Sequence, residues 1–235
     1  MSALTLDLKG NVASKVAKFK EMRKQRGVTL LEIIIVLGII GVIAAGVVIL
    51  AQRAFTSQDL SDIQNNANSI RTSMVEAFKD EGSYPASDTI KGLTKSTIAD
   101  SDSEAPIVTL VKLGKISPEE AFNGMSNDAF QIGNAITDTT SSQKKGFVFL
   151  VNGLETEECR NLVSEMGNQW DYVETVEDAN AGKDFASLDG KDISVAKSGT
   201  ILKTLISGDI AASDIVATNV CGGEGATNGV IFGSK

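Results

Sequence analysis

The sequence has 235 residues, with 30 acidic side chains against 22 basic ones and no histidine, so its formal net charge at pH 7 is −8. Histidine is the commonest general base and the commonest metal ligand, so its absence argues against an enzyme and against a metal site. The acidic balance argues against nucleic acid as a partner, because a polyanion repels an acidic protein.

The charges are unevenly distributed, and the first 27 residues are basic. They contain seven lysines and arginines against Asp7 and Glu21, a net charge of +5. Since the whole chain carries −8, residues 28–235 carry −13. Basic flanks of a membrane segment stay in the cytoplasm, whereas acidic domains can be translocated. The pattern predicts a cytoplasmic leader and an exported body.

An apolar segment follows the leader. Ile33–Ala51 is a run of 19 uncharged residues, and counted from Val28 the segment has 24 residues. About 20 helical residues cross the hydrocarbon layer, where a lone strand could not satisfy its backbone. We expect residues 28–53 to form a transmembrane helix. Its glycines, Gly38, Gly41 and Gly46, either mark the close approach of another helix or are simply tolerated.

The helical pattern continues beyond Arg53 but becomes amphipathic. Apolar residues recur at steps of three and four and form one face, which consists of Ile63, Ala67, Ile70, Met74, Ala77 and Phe78. Gly82 and the Tyr84-Pro85 step end the pattern. We predict one helix from Val28 to Glu81, whose second part, residues 54–81, packs on the domain that follows.

Residues 82–235 have the pattern of a globular head of the α+β class. Helices are predicted to start at Ser117-Pro118 and to span Thr156–Met166, Thr200–Ile206 and Ser213–Val220. Strands are predicted at Gly146–Val151, at Trp170–Val176, which alternates as a half-exposed strand does, and at Gly229–Gly233. Because strands and helices do not alternate regularly, we expect the long N-terminal helix to pack on a mixed, mainly antiparallel sheet.

The two cysteines, Cys159 and Cys221, lie 62 positions apart and are too few for a zinc site. In an exported domain a single pair indicates one disulfide, whereas in a cytosolic protein it would indicate two free thiols.

No catalytic constellation is present. Without histidine there is no Ser-His-Asp triad and no Cys-His pair. Gly222–Gly225 matches neither a P-loop nor a dinucleotide fingerprint. The carboxylate pairs Glu119/Glu120 and Glu157/Glu158 fall in first turns of predicted helices, where they suit the helix dipole. We expect a protein that is not an enzyme and that holds no cofactor or metal.

Glu32 is the one carboxylate in the apolar segment. Thr29-Leu30-Leu31-Glu32 matches a helix capping box, so Glu32 has a structural explanation; it could also reach the membrane surface. However, an acidic side chain in a membrane segment costs about 3 kcal/mol and usually has a function. A cation would accompany it in every copy if the chain were cut after Gly27, because the cut would create a free amine at Val28.

The segment around Glu32 resembles the prepilin signature of type IV pilins. The resemblance rests on Lys24-Gln25-Arg26-Gly27 followed by Val28-Thr29-Leu30-Leu31-Glu32-Ile33. The long leader is similar to that of the type IVb class, and Val47–Phe55 is similar to the toxin-coregulated and enteric colonisation-factor pilins. Leu113–Ala121 and the placement of the cysteines also look like that group. Ile33–Asp80 lacks the proline that many type IVa pilins have.

The resemblance implies a role for each site residue. A prepilin peptidase would remove residues 1–27 by cutting between Gly27 and Val28, and would methylate the Val28 amine. Glu32 would pair with that amine in a neighbouring subunit, or would be needed to recruit the next subunit to the growing fibre. Residues 28–53 would lie in the filament core, and residues 82–235 would form the head. The disulfide Cys159–Cys221 would bound its variable C-terminal region.

The resemblance also implies a function. The chain would be the major subunit of an extracellular type IV pilus, a helical homopolymer used for adhesion, bacterial aggregation and host colonisation. Before assembly it would lie in the inner membrane with a cytoplasmic N-terminus, in contact with the pilus assembly machinery. Two alternatives remain: a pseudopilin of a type II-like secretion system, and a single-span membrane-anchored protein in which Glu32 is only a helix cap.

Overall fold

The structure is a computed structural model that describes residues 29–141 and 143–235. The predicted leader and the Gly27-Val28 step therefore lie outside the described residues. Contacts divide the chain between Arg53 and Ala54 into two compact units, and one helix, α1, runs from Leu30 to Phe78 through that division.

The helix α1 ends three residues before the predicted end at Glu81. The Lys79 amide still donates to the Val75 carbonyl, but the Glu81 amide donates to the Phe78 carbonyl, which closes a tighter turn. Acidic residues are unfavourable near a helix C-terminus, where the dipole is negative. Asp80 and Glu81 therefore fall in the turn rather than in the helix.

In the first unit, every described residue of 29–53 is exposed. The second unit contains three further α-helices: α2 (Pro106–Lys112), α3 (Thr156–Met166) and α4 (Ala212–Ile215). Two short 3-10 turns lie at Ile98–Asp100 and Gly167–Gln169.

The second unit is built on one six-stranded sheet. Its strands are β1 (Gln131–Ile136), β2 (Gly146–Leu154), β3 (Tyr172–Val176), β4 (Lys191–Asp192), β5 (Ile201–Lys203) and β6 (Asn228–Ser234). They lie in the order β4-β1-β2-β6-β3-β5. The β1–β4 pair is parallel and the other pairs are antiparallel. The predicted α+β fold with a mixed, mainly antiparallel sheet is confirmed.

One face of the sheet carries the main core. Helix α1 contributes one buried stripe to it, made of Leu60, Ile63, Ala67, Ile70, Ser73, Met74 and Phe78. Ala77, which was predicted on this face, is only half-buried. Alternate residues of β2, Phe147, Phe149 and Val151, meet the same cluster. Each large apolar side chain buried in this way stabilises the fold by about 1.5–3 kcal/mol.

The other face of the sheet is covered as well. Val148, Leu150, Tyr172 and Ile231 point into a second cluster with Ala179, Leu188 and Ile193, which come from the connections around β4. The prediction that Trp170–Val176 forms a half-exposed strand is therefore wrong in its exposure, because Tyr172–Thr175 is buried on both faces.

Two predicted helices are wrong. Thr200–Ile206 contains the strand β5, because Ile201 and Lys203 pair with β3 and the Thr175 amide donates to the Thr200 carbonyl. At Ser117 the predicted capping pair does form, with the Ser117 amide 2.8 Å from the Glu120 carboxylate. Only a turn follows, since Phe122 bridges to Ala129 in an extended conformation. Ser213–Val220 is helical only as far as Ile215.

Candidate assembly site and disulfide-bounded region

The first part of α1 presents apolar side chains that nothing in the described chain covers. The side chains of Leu31, Leu37 and Val42 are 68%, 63% and 76% exposed. Among the described residues, α1 is the one helix long and apolar enough to cross a membrane. A surface of this size requires an apolar environment from outside the chain, either lipid or other copies of the helix.

Thr29 caps α1, and Glu32 lies in its first turn. The Glu32 amide donates to the Thr29 carbonyl at 2.9 Å and also lies 3.2 Å from the Thr29 hydroxyl oxygen. Both bonds use the backbone of Glu32, whereas a full capping box would also use its carboxylate. Within residues 29–141 and 143–235, the Glu32 carboxylate takes part in no hydrogen bond and no ion pair. The helix cap therefore leaves this carboxylate available.

Cys159 and Cys221 form a disulfide, with their Cα atoms 5.9 Å apart. Cys159 lies in the first turns of α3, and both cysteines are buried. Cys221 has a left-handed backbone (φ 54°), which turns the chain sharply at the bridge. The Arg160 guanidinium donates to the Val220 carbonyl at 3.3 Å. The bridge and this hydrogen bond thus fix the chain at Val220 and Cys221 against α3.

Asn228, which closes the turn after Cys221, was not predicted from the sequence. Its side-chain oxygen accepts from the Gly223 amide at 2.8 Å, and its side-chain nitrogen donates to the carbonyls of Leu154 and Gly223. Asn228 is completely buried. A polar residue at the start of a strand pattern, just after a glycine-rich turn, was the signal available for it.

Arg71 was also missed, although it links α1 to the end of β6. Its guanidinium donates to the Gln169 carbonyl at 2.8 Å and to the Ser234 hydroxyl at 3.1 Å. It lies 3.8 Å from the Asp171 carboxylate, and its Cζ atom is 5.0 Å from the Trp170 ring centre. We call this set of contacts the Arg71 clasp.

A buried ion pair lies on the second face of the sheet. Lys191 Nζ is 2.6 Å from the Glu174 carboxylate, which also accepts from the Tyr172 hydroxyl at 2.9 Å. Burial, with a further contribution from the Glu174 charge, raises the pKa of Tyr172 far above its ordinary value. The three side chains satisfy one another, so the arrangement is structural.

One carboxylate of each acidic pair considered in the sequence has a structural partner. The Glu155 amide donates to the Glu158 carboxylate at 2.9 Å, which fixes the start of α3. Hydrogen bonds from the Ser117 amide and hydroxyl lower the pKa of Glu120. Among the described residues, no group of three or more Cys, Asp or Glu side chains could hold a metal ion.

Two family models match the sequence. The toxin-coregulated pilus subunit family matches residues 109–233, and the prokaryotic N-terminal methylation motif matches residues 22–48. The first covers most of the head, and the second spans the Gly27-Val28 step and Glu32.

Known proteins match over most of their length. The chain is 34% identical over 199 residues to the toxin coregulated pilin of Vibrio cholerae serotype O1, which covers 83% of this chain and 81% of that protein. It is 33% identical over 220 residues to another toxin coregulated pilin of Vibrio cholerae, covering 90% of each.

The fold also matches a solved structure. The crystal structure of TcpA, a type IV pilin from the El Tor biotype of Vibrio cholerae, superposes with a TM-score of 0.56 at 23% identity, covering 76% of this chain and 99% of that one. This likeness supports the fold, and the sequence matches support the family. The expected resemblance is confirmed: the chain belongs to the toxin-coregulated pilus subunit family of type IVb pilins.

Proposed function

We propose that this chain is the major structural subunit of a type IV pilus, polymerising into an extracellular filament that serves adhesion, aggregation and host colonisation. One observation carries the proposal: α1 presents an exposed apolar surface over residues 30–51, interrupted only by the Glu32 carboxylate. Other copies of the same helix would cover that surface in a filament and would supply a partner for the carboxylate. The Vibrio cholerae relatives are named as toxin coregulated pilins, which supports this role.

The precursor would lie in the inner membrane with residues 1–27 in the cytoplasm. A prepilin peptidase would cut between Gly27 and Val28 and methylate the new Val28 amine, and the assembly machinery would then add the subunit to the filament. Residues 28–53 would become filament core, residues 54–81 would join that helix to the head, and residues 82–235 would form the outer surface. The match to the N-terminal methylation motif supports this order of events.

Glu32 would pair with the Val28 amine of a neighbouring subunit. At an effective dielectric constant near 20, two opposite charges about 4 Å apart attract by about 4 kcal/mol, and loss of solvation offsets part of this. The pair would also fix the register of neighbouring subunits along the filament. A shifted subunit would leave a carboxylate without its amine in an apolar bundle, which is unfavourable in free energy. The chain would bind and assemble rather than catalyse a reaction.

The test is the intact mass of the protein in filaments sheared from the cell surface. The proposal predicts the mass of Val28–Lys235 plus one CH2, because methylation replaces a hydrogen with a methyl group, and minus two hydrogens for the disulfide. A full-length mass, found in the inner membrane alone, would mean that the chain is an uncleaved membrane anchor and that the proposal is wrong.

A pair of variants separates the charge of Glu32 from its position in the helix cap. Glutamine can occupy the third position of a capping box, so Glu32→Gln keeps the cap and removes the charge. Thr29→Ala removes the cap hydroxyl and keeps the charge, which costs about 1 kcal/mol of helix stability. We expect Glu32→Gln to abolish filaments at normal precursor levels and Thr29→Ala to retain them. The reverse result would show that Glu32 serves only as a cap.

A further inference from the structure

A groove lies beside the C-terminal end of α1, within the second unit. Its floor is apolar: Val75 is half-buried, Phe78 and Tyr84 are buried, and the two rings lie 6.4 Å apart. The Tyr84 amide donates to the Lys144 carbonyl at 2.9 Å, which joins the segment after α1 to the segment before β2. The groove is therefore built from two well-separated parts of the chain.

Lys79 at the end of α1 and Lys145 just before β2 stand at the edges of this groove, which a third lysine, Lys235, also lines. Lys79 and Lys145 are exposed, and within the described residues neither forms an ion pair. Glu81 also lines the groove and offsets part of their charge. We call this feature the lysine groove. Basic edges favour the docking of a segment that carries acidic side chains, and the groove between them gives that segment a concave surface to occupy.

The same domain carries an exposed acidic ridge, made of Asp88, Asp100, Asp102 and Glu104. The ridge is held together locally, since the Asp88 carboxylate accepts from the Glu104 amide at 3.0 Å and from the Ser103 hydroxyl at 3.1 Å. None of its four carboxylates forms an ion pair with a described residue.

Polymerisation brings acidic domains together. Residues 28–235 carry a net charge of −13, so neighbouring heads repel one another unless their contacts place opposite charges together. Subunits in a helical filament meet head to tail, so two different patches of the same chain face each other. The lysine groove is a concave basic feature, and the acidic ridge is a complementary feature of a second copy.

We propose that the lysine groove of one subunit receives the acidic ridge of another subunit in the filament, with Lys79 and Lys145 facing Asp100, Asp102 and Glu104. This inference rests on the proposed function. It adds a contact between the globular domains of two subunits. This contact would select how the domains align along the filament, beyond what the packing of the apolar helices does.

Zero-length carbodiimide coupling of native filaments tests the contact, because it joins an amine to a carboxylate only where the two touch. Filaments sheared from cells that express the full chain are coupled and digested, and linked peptides are identified by mass spectrometry. The expected result is a link from Lys79 or Lys145 to the segment 100–104. Filaments mixed from isotopically light and heavy subunits show that the link joins two copies. Links from these lysines only to other carboxylates, to another protein or to nothing overturn the inference.

Charge reversal provides an independent readout. We expect Lys145→Glu to lower the yield of filaments about tenfold at an unchanged precursor level, and we expect Asp102→Lys to restore the yield in the double variant. Lys183→Glu is the matched control, since Lys183 is exposed and lies outside the groove; it should assemble normally. Normal assembly of Lys145→Glu overturns the inference alone, whereas absence of the wild-type chain from filaments refutes the proposed function as well.

Discussion

Removal of the Arg71 clasp should destabilise the head by about 2 kcal/mol. The Arg71→Ala change removes two hydrogen bonds from a charged donor, at 2.8 and 3.1 Å, together with the contact to the Trp170 ring at 5.0 Å. A cation over an aromatic ring contributes about 0.5–1 kcal/mol where it is partly exposed. Charged hydrogen bonds contribute about 1.5–3 kcal/mol when buried. Since the Arg71 side chain is 33% exposed, we take about half of the lower value for each bond.

The assay is urea unfolding of the full chain in detergent micelles. The protein contains one tryptophan, Trp170, which lies in the core of the head, so its fluorescence reports on that domain. Far-ultraviolet circular dichroism gives a second probe, because loss of the Arg71 contact changes the fluorescence baseline itself. Arg71→Lys is the matched variant: it keeps the charge but lacks the planar fork that reaches several acceptors, and it should lose about 1 kcal/mol. A loss below about 0.5 kcal/mol for Arg71→Ala would refute the reasoning, and a lysine variant as stable as the wild type would show that charge alone matters.

Three further predictions concern the head; the first two use the same unfolding assay, and the third is read from phenolate absorbance. Replacement of both cysteines of the disulfide by alanine should lower the free energy of unfolding by about 4 kcal/mol, because the bridge spans 62 positions and constrains a long loop of the unfolded chain; an unchanged urea midpoint would contradict this. Gly153→Ala should lower the free energy of unfolding by about 2 kcal/mol, since Gly153 has φ +72° and an added Cβ would lie 2.8 Å from a serine side chain. Gly182 has φ +75° but lies in open space, so Gly182→Ala should lower the free energy of unfolding by only about 1 kcal/mol. Burial raises the pKa of both tyrosines, Tyr84 and Tyr172, above that of the unfolded chain. Their contribution to the free energy of unfolding is therefore complete below about pH 10 and declines as the pH rises beyond it. Phenolate absorbance should rise at about pH 10 when the protein is unfolded in urea, but only at higher pH in the folded protein.

Local periodicity was enough to predict the elements that organise the fold. The stripe Ile63, Ile70 and Met74 was visible at helical spacing, because a helix buries the same face at every turn. The buried run at the start of β2 and the helix α3 were also visible, since each has a short and consistent pattern. These elements bury their apolar residues against one large core. The secondary structure that the local sequence pattern favours is therefore the one that the core requires.

Elements whose residues depend on distant partners could not be predicted. Strand β1 contains Gln131 and Asn134, which read as polar and yet are buried. The Gln131 amide exchanges two hydrogen bonds with the backbone of Phe185, and the Asn134 side chain accepts from the Gly190 amide at 3.0 Å. Their partners lie more than 50 positions along the chain, so a local pattern carries no sign of them. Strand β5 lies where a helix is predicted for the same reason, because its pairing with β3 overrides local propensity.

The residues of the candidate site also fall into those that stand out in the sequence and those that do not. Glu32 and the cysteine pair stand out in the sequence because each contradicts its surroundings, a carboxylate among apolar residues and two thiols in a chain predicted to be exported. The structure shows the disulfide, and the assembly role of Glu32 stays a prediction. Arg71 and Asn228 were missed, because a charged residue on an amphipathic helix and an asparagine after a turn are ordinary in sequence. Their roles come from acceptors that the fold brings to them.

The two parts of α1 depend on different environments, and this difference links the fold to assembly. From Leu60 to Phe78 the helix buries one face in the core of the head, whereas residues 30–53 have no packing partner among the described residues. Gly38 and Gly41 each lower helix stability by about 1 kcal/mol relative to alanine, and an added Cβ on either would meet nothing within 4 Å among residues 29–141 and 143–235. Nothing in that part of the chain therefore explains glycine at these positions. Under the proposed function, the helix passes from lipid to a bundle of identical helices, and backbones that approach closely in that bundle supply the missing reason.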